Sequence, residues 1–287
     1  MSQKSKTKMV SVPSTSIIPE RDLGSQPVLD IRNLGIDFGG LTAVDEFTLT
    51  IGKTEIAGLI GPNGAGKTTI FNLLTNVYQA TRGSILLKGI DTKGMTTAQV
   101  NRMGIARTFQ NIRLFGGMSV IDNVKVGLHH SIPCSTLSSI LHLPGYYKAE
   151  KQARARCLEL LDFMGMADMA QYQAGSLPYG AQRRLEIVRA LATNPAIILL
   201  DEPAAGMNPS ETAELMDHIR RIRDEFQIAV MLIEHDMNLV MGVCEGIAVV
   251  NYGKIIAKGT PEEIVNNPVV IEAYLGKKGE SANASEG

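Results

Sequence analysis

An octapeptide, Gly61-Pro62-Asn63-Gly64-Ala65-Gly66-Lys67-Thr68, lies between an apolar run at 55–60 and a helical pattern at 68–75. It dictates more of the fold than any other stretch, because it fits G-x-x-x-x-G-K-[ST]. Glycines keep Cβ atoms out of such a loop, so backbone N–H groups can surround a compact polyanion. The helix that follows presents unpaired N–H groups and a partial positive charge at its start. Lys67 adds a full charge next to the β- and γ-phosphates of a nucleotide, and the Thr68 hydroxyl can ligate Mg²⁺. A random chain of this length matches the pattern with a probability on the order of 1%. The competing reading, a glycine-rich turn with no ligand, does not require the strand before it or the helix after it.

The rest of the chain is read around that loop. Residues 28–31 and 47–51 have the pattern of edge strands. Runs at 196–200 and 228–233 are apolar along their whole length, which suggests a parallel sheet covered on both faces. The stretch from about 96 to 193 differs. Its helical periodicity, notably over 149–164 with Leu158, Leu161 and Met164 on one face, predicts a helical subdomain inserted into an α/β core. Residues 1–27 and 277–287 are polar and read as disordered tails. No internal repeat is visible, so the sequence holds one such unit.

Composition excludes several classes. The formal net charge is −1 and aromatic residues are 5% of the chain. A nucleic-acid binder usually has a basic excess or stacking aromatics, so none is expected as a partner. Cys134, Cys157 and Cys244 are odd in number and far apart, which fits neither a disulfide framework nor a zinc site. His129, His130 and His142 are read as polar loop residues rather than metal ligands. No apolar run approaches the ~18 residues that a spanning helix needs. A role at a membrane would therefore require a partner.

The run Ile197-Ile198-Leu199-Leu200-Asp201-Glu202 ends an apolar strand in two carboxylates. Alternation along a strand sends their side chains in different directions. Asp201 is assigned to the metal, directly or through water, and Glu202 to polarising an attacking water. Acidic pairs at strand ends are common; the phosphate-type loop gives this one its meaning.

Taken in order, GPNGAGKTT at 61–69, RTFQ at 107–110, LPYGAQRRLEIVRAL at 177–191, ILLDEP at 198–203 and IEHDM at 233–237 resemble the ATP-binding subunits of ABC transporters. The resemblance covers nearly everything outside the tails, about residues 28–276. Within that family, ARTFQNIRLF at 106–115, DEPAAGMNP at 201–209 and GTPEEIVNNPVVIEAYLG at 259–276 are similar to the branched-chain amino acid subfamily. The implied fold is α/β: a P-loop NTPase core with a mostly parallel sheet, an antiparallel β edge subdomain and an inserted α-helical subdomain.

The resemblance implies further roles. Thr69 joins the nucleotide loop, and Phe38 matches the aromatic that stacks on adenine. Gln110 matches the glutamine that reaches Mg²⁺ and the attacking water, and it begins the segment facing the membrane partner. His235 matches the histidine that contacts the γ-phosphate. Leu177, Gly180 and Gln182 belong to the signature loop, which closes over ATP bound on a second ATP-binding subunit. ATP and Mg²⁺ are the implied cofactors. Two transmembrane permeases and, indirectly, a periplasmic or surface binding protein are the implied partners. The implied location is the cytoplasmic face of the cell membrane.

The sequence departs from the family at Pro178, Tyr179 and Ala181, which stand where Ser, Gly and Gln are usual, and at Asn208, where many relatives have Asp. Pro178 has neither a hydroxyl nor an N–H to donate. Two other readings stay open at this point: an ABC-type ATPase acting in repair, translation or regulation, and a transporter motor for another cargo such as urea or an envelope lipid.

Overall fold

The computed structural model describes residues 27–128 and 144–275. The expected tails, apart from Pro27, and the three loop histidines lie outside these residues, as does Cys134. The apolar runs become strands β3 (Ile56–Ile60), β7 (Ile197–Asp201) and β8 (Ala229–Ile233), every residue of which is buried. Burial on both faces is what a central parallel strand requires. They belong to a six-stranded sheet of order β10-β9-β3-β8-β7-β6, completed by β6 (Ile105–Arg107), β9 (Gly246–Asn251) and β10 (Lys254–Gly259). All neighbours are parallel except β9 and β10.

Alternate residues of these strands feed two apolar cores. Ile198, Leu200, Val230 and Leu232 face one, and Ile197, Leu199, Ala229 and Met231 face the other. The second core lies under an antiparallel sheet of order β2-β1-β4-β5. Its strands are β1 (Leu29–Phe38), β2 (Leu41–Ile51), β4 (Arg82–Leu87) and β5 (Ile90–Asp91). Helix α1 (Lys67–Leu74) contributes Ile70, Phe71, Leu73 and Leu74 to that core.

The remaining helices are α2 (Thr97–Met103), α3 (Val120–Leu128), α4 (Pro144–Phe163), α5 (Tyr179–Leu191), α6 (Pro209–Phe226), α7 (Met237–Val243), α8 (Pro261–Val265) and α9 (Pro268–Leu275). Helices α3, α4 and α5 share the first core, with Val124, Leu161, Met164 and Leu185 buried together.

Three expectations need correction. The stretch 96–193 is not wholly helical: β6 lies inside it and pairs with β7, from Ile105↔Ile197 to Arg107↔Leu199. Residues 105–107 are too few to show a strand period, so only the partner strand reveals them. The expected strands at 28–31 and 47–51 are the outer ends of one long hairpin turning at Gly39 and Gly40. Half-exposed Asp37 and exposed Thr42 had concealed the inner part. Leu158 is only partly buried, unlike Leu161 and Met164.

Candidate active site

Parallel strands place their carboxyl ends along one edge of the sheet, where ligands of such folds bind. Here β3 runs into the glycine loop, β7 ends at Asp201 and Glu202, and β8 leads to His235. Register brings Asp201 opposite Ile233 on the neighbouring strand. The three segments converge because the sheet order sets β8 between β3 and β7.

The loop has the shape its glycines require. Gly61 has φ 155°, and a Cβ there would lie 2.0 Å from the Val250 carbonyl oxygen. Gly66 has φ 102°, and its Cβ would lie 2.9 Å from the Ala43 oxygen. Gly66 is also the N-cap of α1, which has no capping side chain and no acid in its first turn. The first N–H groups of that helix are thus left for an anion. Lys67 Nζ donates to the carbonyls of Gly61 (2.7 Å) and Pro62 (3.0 Å), so it arches back over the loop. Burial pulls the Lys67 ammonium below the ordinary lysine range, and the Glu202 and Asp201 carboxylates oppose that shift.

The loop lines a cleft of about 460 Å³ together with Thr68, Thr69, Gln110 and Glu202. The other walls are Leu41, Thr42 and Ala43 of β2 and Tyr252. Gln110 Nε2 donates to Glu202 Oε2 at 2.8 Å, joining two side chains 92 positions apart. Glu202 itself has φ 47°, a left-handed backbone uncommon for a non-glycine residue. Its N–H donates to the Ile233 carbonyl at 2.9 Å, which holds that conformation. His235 is 67% exposed at its side chain, with Nδ1 3.8 Å from Glu202 Oε1. Behind it, buried Glu234 accepts from the N–H groups of Ala204 (2.8 Å) and His235 (3.0 Å). Burial raises the Glu234 carboxyl above its usual range, against those donors.

The structure does not bring every expected residue into the cleft. Phe38 closes β1 as a 43% exposed residue, its ring edge-on to Tyr78 at 5.3 Å, and is paired with the cleft residue Leu41. It is not an ordinary core phenylalanine. Asp201 is buried behind the cleft, with Oδ2 2.6 Å from Arg107 Nη2. Leu177, Gly180 and Gln182 lie apart from the cleft, at the start of α5. Gln182 Nε2 donates to the Leu177 carbonyl at 2.8 Å. Gly180 packs on α6, where a Cβ would lie 2.6 Å from Glu211 Oε1. Pro178 is the N-cap of α5 and makes no side-chain cap bond. Asn208 caps α6 in a reciprocal capping box with Glu211.

Sequence reasoning missed several supporting residues. Arg107 lies within the quoted RTFQ but received no role. Its Nη1 donates to Asn72 of α1 at 2.7 Å while Nη2 holds Asp201, so it ties the helix behind the glycine loop to the acidic strand. Helix α9 also borders the glycine loop, with Val269, Glu272 and Ala273 sharing a groove with Pro62, Asn63 and Gly64. Arg183 and Glu186 of α5 are buried and grip the segment around Gln110. Their spacing, opposite charges three apart on a helix, is shared by solvated pairs such as Arg156 and Glu159 and so gave no signal of burial.

This geometry agrees with what the chain resembles. The ABC transporter family model matches residues 44–205, and a model described as branched-chain amino acid ATP-binding cassette transporter matches 254–280. The chain is 48% identical over 253 residues to the high-affinity branched-chain amino acid transport ATP-binding protein LivG of Escherichia coli K12, covering 88% of this chain and 99% of that one. It is 44% identical to BraF of Pseudomonas aeruginosa, a protein of the same description, with the same coverage. Among solved structures, the ADP conformation of MJ1267, an ATP-binding cassette of an ABC transporter, superposes with a TM-score of 0.76 at 29% identity, covering 88% of this chain and all of that one. A nucleotide-free ATP-binding cassette from an ABC transporter gives 0.75 at 28% identity, covering 86% and 98%. The ordered motifs, the two-sheet fold and these matches agree: the chain belongs to the ABC transporter family of ATP-binding, ATP-hydrolysing subunits.

Proposed function

We propose that this chain powers import of branched-chain amino acids, with a second ATP-binding subunit and two membrane-spanning permeases fed by an external binding protein. The observation that carries the reading is the cleft in which Lys67 and the glycine loop lie within reach of the joined pair Gln110 and Glu202. A triphosphate held on the loop would have its reacting end toward that pair. Loop N–H groups and Lys67 bind the phosphates. Glu202 takes the proton of the attacking water, Gln110 orients Glu202 and that water, and His235 donates to the terminal phosphate. Phe38 offers its exposed ring to the adenine.

Among the described residues, no cluster of three or more His, Cys, Asp or Glu could hold a metal by itself. That suits Mg²⁺, which is held by few protein groups plus phosphates. Thr68, Gln110 and, through water, Asp201 would hold it, since Arg107 already engages one Asp201 oxygen. Bound Mg²⁺ would neutralise charge on the phosphates and polarise the phosphoryl oxygen.

Leu177, Gly180 and Gln182 would cap the nucleotide held by the second subunit, because they stand outside the cleft of their own chain. Tyr179 and Pro178 leave this cap to backbone N–H groups and the start of α5. No described helix is long and apolar enough to cross a membrane. Attachment to the cytoplasmic face would therefore come through the permeases. A groove lined by Phe109, Arg113, Phe115 and Arg189 offers them an aromatic and basic surface.

The names of LivG and BraF, and the match at 254–280, support the cargo. The test is uptake. The chain is co-expressed with its genomic neighbours, and radiolabelled leucine is followed into inverted-free, binding-protein-supplemented vesicles loaded with ATP. ATP-dependent leucine accumulation, lost in Glu202→Gln, is expected. Uptake of urea or another solute with none of leucine, isoleucine or valine would reject the cargo.

A further inference from the structure

Helix α5 carries a pair of charges that ordinary core packing does not explain. Arg183 and Glu186 are each 2% exposed, one turn beyond Gly180. Arg183 Nη1 donates to the Phe109 carbonyl at 2.5 Å and to Glu186 Oε2 at 3.1 Å. Its Nη2 donates to the Gln110 carbonyl. Glu186 Oε1 accepts from the Arg113 N–H at 2.8 Å. Backbone groups at both ends of the segment 109–113 are therefore held by one helix. The ring of Phe109 adds to the grip, with the Arg113 guanidinium 4.2 Å and that of Arg107 5.2 Å from its centroid.

Burying two charges costs several kcal/mol each before their attraction is counted, and a well-packed apolar pair is often as stable. The pair is also incompletely satisfied, since Arg183 Nε has no partner. Burial raises the Glu186 carboxyl, opposed first by the Arg113 N–H and then by Arg183 and Arg189. What the arrangement provides is direction. A planar guanidinium can hold two adjacent carbonyls and a carboxylate in one fixed geometry, which a lysine cannot. The residue so fixed is Gln110, whose side chain holds Glu202.

We propose that Arg183 and Glu186 are positioning residues that make the segment 109–113 and α5 one rigid body. The proposal rests on the reading of Gln110 as part of the hydrolytic site. Displacement of the start of α5, where Gly180 lies, then moves Gln110 relative to Glu202. The glycine loop itself is no part of the clamp, whose bonds run from Arg183 and Glu186 of α5 to Phe109, Gln110 and Arg113. The clamp therefore sets kcat and leaves ATP affinity alone.

The test is a mutant cycle in the full-length chain. Arg183→Met with Glu186→Met replaces the ion pair by apolar side chains of similar volume, and Arg183→Lys keeps the charge without the fork. Expected for the double Met variant are a near-native Tm, an ATP Kd within about twofold of wild type, and kcat lower by about 10- to 100-fold, the size of effect a misplaced group produces. Gln110→Ala should lower kcat in the wild type and have little further effect in the double Met background. Arg183→Lys should fold and be similarly slow, so the measurement survives if the double variant does not fold. Native kcat in either variant, or a Gln110→Ala effect that simply adds, would overturn the clamp while leaving the hydrolytic site standing. Unchanged kcat for Gln110→Ala in the wild type would instead remove the site reading, and the clamp with it.

Discussion

At the residue scale, the division of labour in the cleft is between holding and cutting. Lys67 is carried by the loop–helix junction and Glu202 by the end of β7, so each can be removed without unmaking the other's support. Lys67→Ala should weaken ATP binding by about 10- to 100-fold, from the loss of a charge-assisted bond worth ~1.5–3 kcal/mol; calorimetric titration measures it, and wild-type affinity would contradict the loop's role. Residues with a short, local signature were legible in the sequence. The glycine loop is contiguous, and Asp201 and Glu202 end a visible strand. Arg183 and Glu186 were not legible as buried groups, because charges on a helix read as solvated unless their partners are known. Those partners are main-chain atoms some 70 positions away, Phe109 among them. The acceptor role of Glu234 toward Ala204 was hidden for the same reason.

At the element scale, helix starts tie the site loops down. Asn208 was noted only as lacking the charge of Asp, yet it accepts from the Glu211 N–H at 3.0 Å and begins α6. Asn208→Ala should cost about 1 kcal/mol, the usual worth of an N-cap, and lower Tm by about 2–4 °C in a chain of this size. A thermal melt showing no change would make the cap dispensable. Helix α5 begins at Tyr179, inside the signature loop. Pro178, Tyr179 and Gly180 carry loop signals, and the N-cap carbonyl of Pro178, accepting from the Gln182 N–H at 3.0 Å, becomes visible only in the fold. Helices also seal the thiols. Cys157 on α4 has its thiol pushed up to about 11 by burial, and burial raises Cys244 at the end of α7 still further. At pH 8 neither should react with iodoacetamide until the chain is unfolded, as peptide mass mapping would register. Prompt native-state labelling of either would mean that the element over it opens freely.

At the scale of the whole molecule, the second core is shared by both sheets and by α1, which puts the start of that helix and its glycine loop beside both sheets. The ordered motifs made this architecture legible before the fold was seen. The limits of the helical part were less so, because β6 has only Ile105, Ala106 and Arg107 and draws its identity from β7. At its far edge the sheet joins the C-terminal helices, and Val269, Glu272 and Ala273 of α9 share a groove with Pro62, Asn63 and Gly64 of the glycine loop. Ligand closure by a second subunit would act on this body. Its extent is bounded by the difference in ATP affinity between open and closed pairs.

The account stands most directly on Glu202→Gln of the full-length chain, titrated with Mg-ATP and assayed for phosphate release on the same preparation. Nucleotide should bind with near wild-type affinity while turnover falls by about 10²- to 10⁴-fold, the range for loss of a general base. Wild-type turnover, or loss of binding in step with turnover, would contradict the separation of the phosphate-holding loop from the residue that drives hydrolysis.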